Sequence, residues 1–197
     1  MKSKSKVIGS IDLPLIEGEF SMMPFDLKDL YGLEDKFKKI AEDLLFQAAL
    51  SGTAFLTVHG KVLNKFDTLR RGGPHTDGSY DQSVFDWGSG GGNGWKVGEN
   101  GPSVNSKEHN RLYNSNTGGI VLASNFESCL GWNGEYNGLP NVGGDCSHID
   151  LDKPFMLERN KIYYGNNHFI HESIPVSKNC HRVFARITLP EDHVYQE

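Results

Sequence analysis

Apolar and polar positions alternate along this chain with two different periods, and the change of period divides it. Between residues 27 and 50, Leu27, Leu30, Leu33, Phe37, Ile40, Leu44 and Ala48 recur at three- and four-residue steps, which places them on one face of an amphipathic helix. Gly52 stands where a glycine just past the last turn would end that helix. The stripe is core packing. Ahead of it, residues 1–23 look extended, with Val7-Ile8 and Ile11-Leu13 separated by Gly and Pro. Behind it the β-branched and aromatic content of strands takes over, at 53–63 (TAFLTVHGKVL), 118–125 (GGIVLASN), 148–157, 161–164 and 182–189. One helix ahead of a run of short strands predicts a mainly β fold, a sandwich or jelly-roll barrel with an N-terminal buttressing helix.

A chain of 197 residues is most economically a single domain, 1–197, with one core. Its 23 glycines and 37% apolar content fit turn-rich β structure. A net charge of -5 and a pI near 5.9 argue against a broad nucleic-acid or anionic-membrane footprint. Cys129, Cys146 and Cys180 are odd in number and lack a CxxC spacing, so the expectation is a reducing cytoplasm with neither a disulfide framework nor a zinc knuckle. No signal-peptide core follows Met1 and no stretch has the length of a membrane span. The segment 88–101 (GSGGGNGWKVGENG) has no GxxxxGK[ST] pattern, which removes the phosphate-cradle reading and leaves a loop near a site.

The candidate chemistry lies in Gly72-Gly73-Pro74-His75-Thr76-Asp77-Gly78. In an extended segment residues i and i+2 project to the same side, so His75 and Asp77 can reach one metal. A distal His171 would complete a two-His, one-carboxylate facial triad, the set that holds non-haem Fe(II) with open positions for O2 chemistry. A second HxD, His148-Ile149-Asp150, lies too near His171 for a barrel to travel away and return, and is expected to be a polar strand face. His168 competes with His171 for the third place. His171 is preferred because Arg182 and Arg186 follow it in Arg182-Val183-Phe184-Ala185-Arg186-Ile187-Thr188-Leu189. On a strand the two arginines share one face, with Val183, Ala185, Ile187 and Leu189 on the other. Two inward guanidiniums call for a carboxylate or comparable anion.

HTDGSY, a distal His, and Arg eleven and fifteen residues beyond it resemble the Fe(II)/2-oxoglutarate-dependent dioxygenases, in flavour the taurine dioxygenase, γ-butyrobetaine hydroxylase and glutarate hydroxylase group. The resemblance covers 71–82 and 163–190. It implies a double-stranded β-helix, iron ligands His75, Asp77 and His171, and Arg182 as the clamp on the far carboxylate of 2-oxoglutarate. Arg186 would share that carboxylate or meet an anionic substrate. The implied reaction consumes O2 and 2-oxoglutarate, releases succinate and CO2, and hydroxylates an unactivated C–H of a small polar or carboxylated metabolite such as an amino acid. Asp77 favours hydroxylation over halogenation, since the family's halogenases carry a small residue there. The family's Thr beside the 2-oxoglutarate carboxylate has no clear match; Thr117 and Ser103 are candidates. Tyr80, Trp87 and Trp95 lie near the HxD as pocket walls or as ordinary packing. Two other readings stand beside this one. A cupin-like metal enzyme independent of 2-oxoglutarate leaves the arginines without a purpose. A non-enzymatic jelly-roll module would use Trp87, Trp95 and Trp132 on carbohydrate.

Overall fold

A computed structural model describes residues 1–45, 52–77, 116–141, 144–190 and 192–196. Among the described residues, eleven strands and one helix follow in the order β1 (Lys2–Ser3), β2 (Ser5–Ser10), β3 (Gly18–Asp26), α1 (Asp35–Leu44), β4 (Thr53–Leu63), β5 (Ile120–Ser124), β6 (Cys129–Trp132), β7 (Gly134–Glu135), β8 (Phe155–Met156), β9 (Lys161–Gly165), β10 (Ile170–Ser173) and β11 (Cys180–Thr188). The fold is mainly β, and the pairings in all three sheets are antiparallel. A six-stranded sheet runs β2-β9-β5-β11-β4-β3, a three-stranded sheet runs β10-β6-β8, and β1 pairs with β7.

The six-stranded sheet has two unlike faces, and the alternation along each strand makes them. Leu56 and Val58 of β4, Val121 and Ala123 of β5, Ile162 of β9, and Val183, Ala185 and Ile187 of β11 join the buried face of α1 (Phe37, Ile40, Ala41, Leu44) in one apolar core. The intervening residues Ile120, Leu122, Tyr163 and Phe184 face the other way. They pack with Cys129 of β6, Phe155 of β8 and Phe169 in a second core shared with the three-stranded sheet. That second face also carries Thr57 and His59, which β4 sets opposite Arg186 and Phe184 of β11. Apolar residues thus hold the helix side, and charged ones gather on the inner side.

The helix is shorter than the 27–50 stripe predicts. Leu27, Leu30 and Leu33 are buried as expected, but they sit in turns. Asp26 Oδ1 accepts from the Lys28 N–H at 2.8 Å and Asp29 Oδ1 from the Tyr31 N–H at 2.9 Å, local bonds that compete with helical ones. Leu30 lies at φ 59° and Gly32 at φ 102°, outside helical space. The C-cap is Leu45, whose N–H reaches Ala41 O, so Gly52 does not end this helix; Ala48 and Leu50 lie outside the described residues. The strand expected at 148–157 is also largely absent. Asp145 Oδ1 accepts from Ser147 and Cys146 O accepts from Ile149, forming a turn, and only Phe155–Met156 of that segment pairs as strand. The other strand expectations correspond to β4, β5, β9 and β11. The segment 88–101 lies outside the described residues. Among the described residues no helix is long and apolar enough to cross a membrane.

Gly60 of β4 shows how tightly the β3–β4 edge is laid down. A Cβ there would stand 1.6 Å from Ile16 O, a backbone atom. Gly60→Ala is therefore expected to cost about 3 kcal/mol, at the upper end for forced overpacking, read as a lowered urea midpoint with unchanged slope.

Candidate metal centre

Two backbone hydrogen bonds build the centre. His75 N–H donates to His171 O at 3.0 Å and His171 N–H donates to His75 O at 2.9 Å, a closed antiparallel bridge between the segment after β4 and strand β10. Thr76 N–H is held by Gly144 O at 2.8 Å, and Pro74 O accepts from Cys146 at 2.9 Å, so the HTD segment is pinned from both sides. The result is one cluster of His75, Asp77 and His171, all buried, with one ligand atom from each lying within 4.8 Å of the others. His171 Nε2 is 2.9 Å from Asp77 Oδ2. Two ligands at about 2.1 Å from a metal and at right angles to one another are about 3.0 Å apart, so this edge has the length of an octahedral one.

The imidazoles are also turned correctly. His75 Nδ1 is 2.7 Å from Gly73 O and His171 Nδ1 is 3.2 Å from Phe169 O. A carbonyl only accepts, so each Nδ1 carries the proton and donates it; the His75 Nε2 keeps its lone pair, while the His171 Nε2 meets Asp77 Oδ2 in a hydrogen bond that a metal would replace. Such outer hydrogen bonds fix the tautomer and orientation of metal-ligating histidines. Gly73 sets its carbonyl by adopting φ 83°, a conformation that favours glycine, while its N–H is held by Glu172 Oε1 at 3.0 Å.

No protein-family model, curated protein or solved structure matches this chain. The site is therefore read from its own geometry.

Arg186 of β11 forms an ion pair with the same Asp77 oxygen. Burial alone would raise the Asp77 carboxyl, but Arg186 and then His171 outweigh it and hold the group well below the usual carboxylate range. Arg182 lies four residues back on the same face, fully buried. It donates to Ser173 Oγ at 2.8 Å, to Ser128 O at 3.3 Å and to Cys129 Sγ at 3.0 Å. Every one of these partners is uncharged: burial raises the Cys129 thiol, with Arg182 opposing. The buried Nε atoms of both arginines have no hydrogen-bond partner among the described residues, which leaves donors for a ligand.

Other expected residues fall elsewhere. His148 is exposed in a turn, its Nε2 near Leu139 O at 3.1 Å, a turn residue rather than the polar strand face expected. His168 is buried but outside the cluster. Trp132 is 6% exposed and donates through Nε1 to Asp152 O, so it is core and not a sugar platform. Thr117 bridges to Val194, while Tyr80, Trp87, Trp95 and Ser103 lie outside the described residues. Three residues with no place in the sequence-based expectation adjoin the centre: Ser173, His59 and Arg70. His59 and Ser173 were legible in principle, from the alternation of β4 and from the i+2 relation to His171. Arg70 had only its nearness to the HTD segment as a signal.

Burial pushes both His59 and His75 from the ordinary 6.5 down to about 3; Arg70 adds to the effect at His59, and His171 at His75. Folded, both stay neutral through mild acid, whereas in the unfolded chain they bind protons below pH 6.5. The unfolded state then holds more protons, so stability present above pH 6.5 is lost as pH falls towards 3, by about 1.4 kcal/mol per pH unit for each imidazole. Urea unfolding of the metal-free protein is expected to give a clearly lower midpoint at pH 5 than at pH 7, and His59→Gln a shallower dependence.

Proposed function

We propose that this protein is an Fe(II)- and 2-oxoglutarate-dependent oxygenase that hydroxylates a C–H bond of a small polar or carboxylated metabolite. In this reading the facing antiparallel sheets form a double-stranded β-helix, the jelly-roll arrangement. The observation that carries the reading is the buried His75-Asp77-His171 cluster with both imidazoles oriented by backbone carbonyls at Nδ1. With O2, bound Fe(II) and 2-oxoglutarate supply oxidative decarboxylation to succinate and CO2, coupled to hydroxylation of the substrate.

His75, His171 and Asp77 would hold the ion, the histidines through ring nitrogens and Asp77 through a carboxylate oxygen. Arg186 keeps Asp77 ionised and fixes its orientation. That task occupies Arg186 and assigns the co-substrate clamp to Arg182. The hydroxyl of Ser173, two residues beyond His171 on β10, already meets the Arg182 guanidinium. Two strand residues span about 6.8 Å, comparable to the length of a five-carbon diacid. Ser173 and Arg182 would hold the far carboxylate of a 2-oxoglutarate bound beside His171, with Ser173 taking the part of the family's Thr. A charged donor held by neutral partners gains a charge-assisted, bidentate bond when that carboxylate arrives. The same arginine disfavours a cupin-like enzyme independent of 2-oxoglutarate, which gives it no anion. Burial of all three ligands keeps water from competing at the reacting centre.

Anaerobic titration of the purified protein with Fe(II) and 2-oxoglutarate is expected to develop the visible charge-transfer band of a chelated keto acid. His75→Ala, Asp77→Ala and His171→Ala are expected to abolish the band and 2-oxoglutarate turnover, and His148→Ala to leave both intact. Iron binding without a band would favour the cupin-like reading, and absence of iron binding would remove the metal reading altogether. Arg182→Ala should raise the 2-oxoglutarate KM by about 100-fold, the cost of losing a buried charged partner of about 3 kcal/mol. An unchanged KM would move the clamp to Arg186.

A further inference from the structure

A second cluster of charge adjoins the metal-ligand set without belonging to it. The Arg70 guanidinium lies 5.2 Å from the centre of the Phe184 ring, on the β11 residue midway between Arg182 and Arg186. Its Nη1 is 3.2 Å from His59 Nδ1. Burial first and the Arg186 charge next bring Arg70 down to about 10, with Asp77 and Glu19 opposing them. A guanidinium so placed calls for an anion; Asp77 and Glu19 act on it electrostatically, but neither is paired with it among the described residues. Arg70 can only donate, so His59 Nδ1 accepts. His59 is then the neutral tautomer with its proton on Nε2, which faces Ser21 Oγ at 2.8 Å and Glu19 Oε1 at 3.1 Å. None of the ion pairs among the described residues involves Arg70.

The charges of the whole centre make the same demand. Around it stand Arg70, Arg182 and Arg186, and a bound divalent ion would add to their charge. Among the described residues the buried carboxylate opposing them is Asp77. Counted over the described residues, a bound 2-oxoglutarate dianion would still leave the centre net cationic, which favours a second, anionic molecule beside it. Beyond His59 the sign changes. Glu17 and Glu19 line an open cavity of about 550 Å³, together with His59, Lys61, Thr68 and Leu69.

We infer that Arg70 and Glu19, one imidazole apart across His59, form a subsite for the carboxylate and the ammonium of an amino acid, the molecule whose C–H is presented to the metal centre. Its role as the oxidised substrate rests on the oxygenase reading; its binding does not. Arg70 stacked on Phe184 offers two parallel N–H donors to a carboxylate. The neutral His59 ring keeps the two charged groups apart, and the cavity accommodates a side chain.

The test is calorimetric titration of the full chain, loaded anaerobically with Fe(II) and 2-oxoglutarate, with each of the twenty protein L-amino acids and with the matching carboxamides. At least one amino acid is expected to bind, its carboxamide at least tenfold more weakly, because a site built for a charged group rejects the analogue that lacks it. Arg70→Ala should weaken binding at least tenfold while the keto-acid band keeps its intensity. Arg70→Lys should retain part of the affinity, and Glu19→Gln should weaken the amino acid but not its N-acetyl derivative. The inference is overturned if no amino acid binds, if acid and carboxamide bind alike, or if Arg70→Ala and Arg70→Lys both bind like the parent. Should the band never form, the same titration on the metal-free chain decides: Arg70-dependent binding keeps the subsite without the oxygenase reading, and no binding overturns both.

Discussion

The exchange of two hydrogen bonds between His75 and His171 is the constraint on which the rest of the site depends. Each imidazole is carried by the residue whose own backbone makes the bridge, so ligand position is set by main-chain geometry and not by flexible side chains. Asp77 follows two residues later on the same side, and the bonds of Thr76 and Pro74 to the segment around Gly144 and Cys146 prevent the HTD stretch from sliding. Segments far apart in sequence are thereby held to a tolerance that metal coordination requires.

Around that bridge the fold separates charge from apolar surface. The helix α1 and one face of the six-stranded sheet form the larger core. The opposite face presents Arg182, Arg186, Thr57 and His59 towards the metal-ligand set, and Arg70 reaches it from the loop after β4. Burying this many polar groups is costly unless each is partnered. Asp77, Ser173, Ser128 and Ser21 meet part of that need.

Much of this was legible in the sequence wherever a period carried it. The pattern TAFLTVHGKVL corresponds residue for residue to β4, and the alternation after His171 put both arginines on one buried face. The spacing of HTD and the distance to His171 singled out the three residues that cluster. What the sequence hid was decided by single side chains. Asp26 and Asp29 bond to nearby N–H groups and turn an apparent helical stripe into loops, although its leucines are still buried. Asp145 does the same ahead of His148. Arg70 gave no periodic signal, because its importance comes from what the fold sets beside it.

The strictly two-faced pattern of β11 has a consequence for folding as well as for binding. Its guanidiniums alternate with Val183, Ala185 and Ile187, so a slip of one residue against β4 and β5 would turn both arginines into the apolar core under α1 and the valine and isoleucine out among charges. A strand made only of apolar residues would tolerate that mispairing; this one rejects it by the full cost of desolvating two cations. The two buried arginines therefore also act as a register check on the central strand while the sheet assembles.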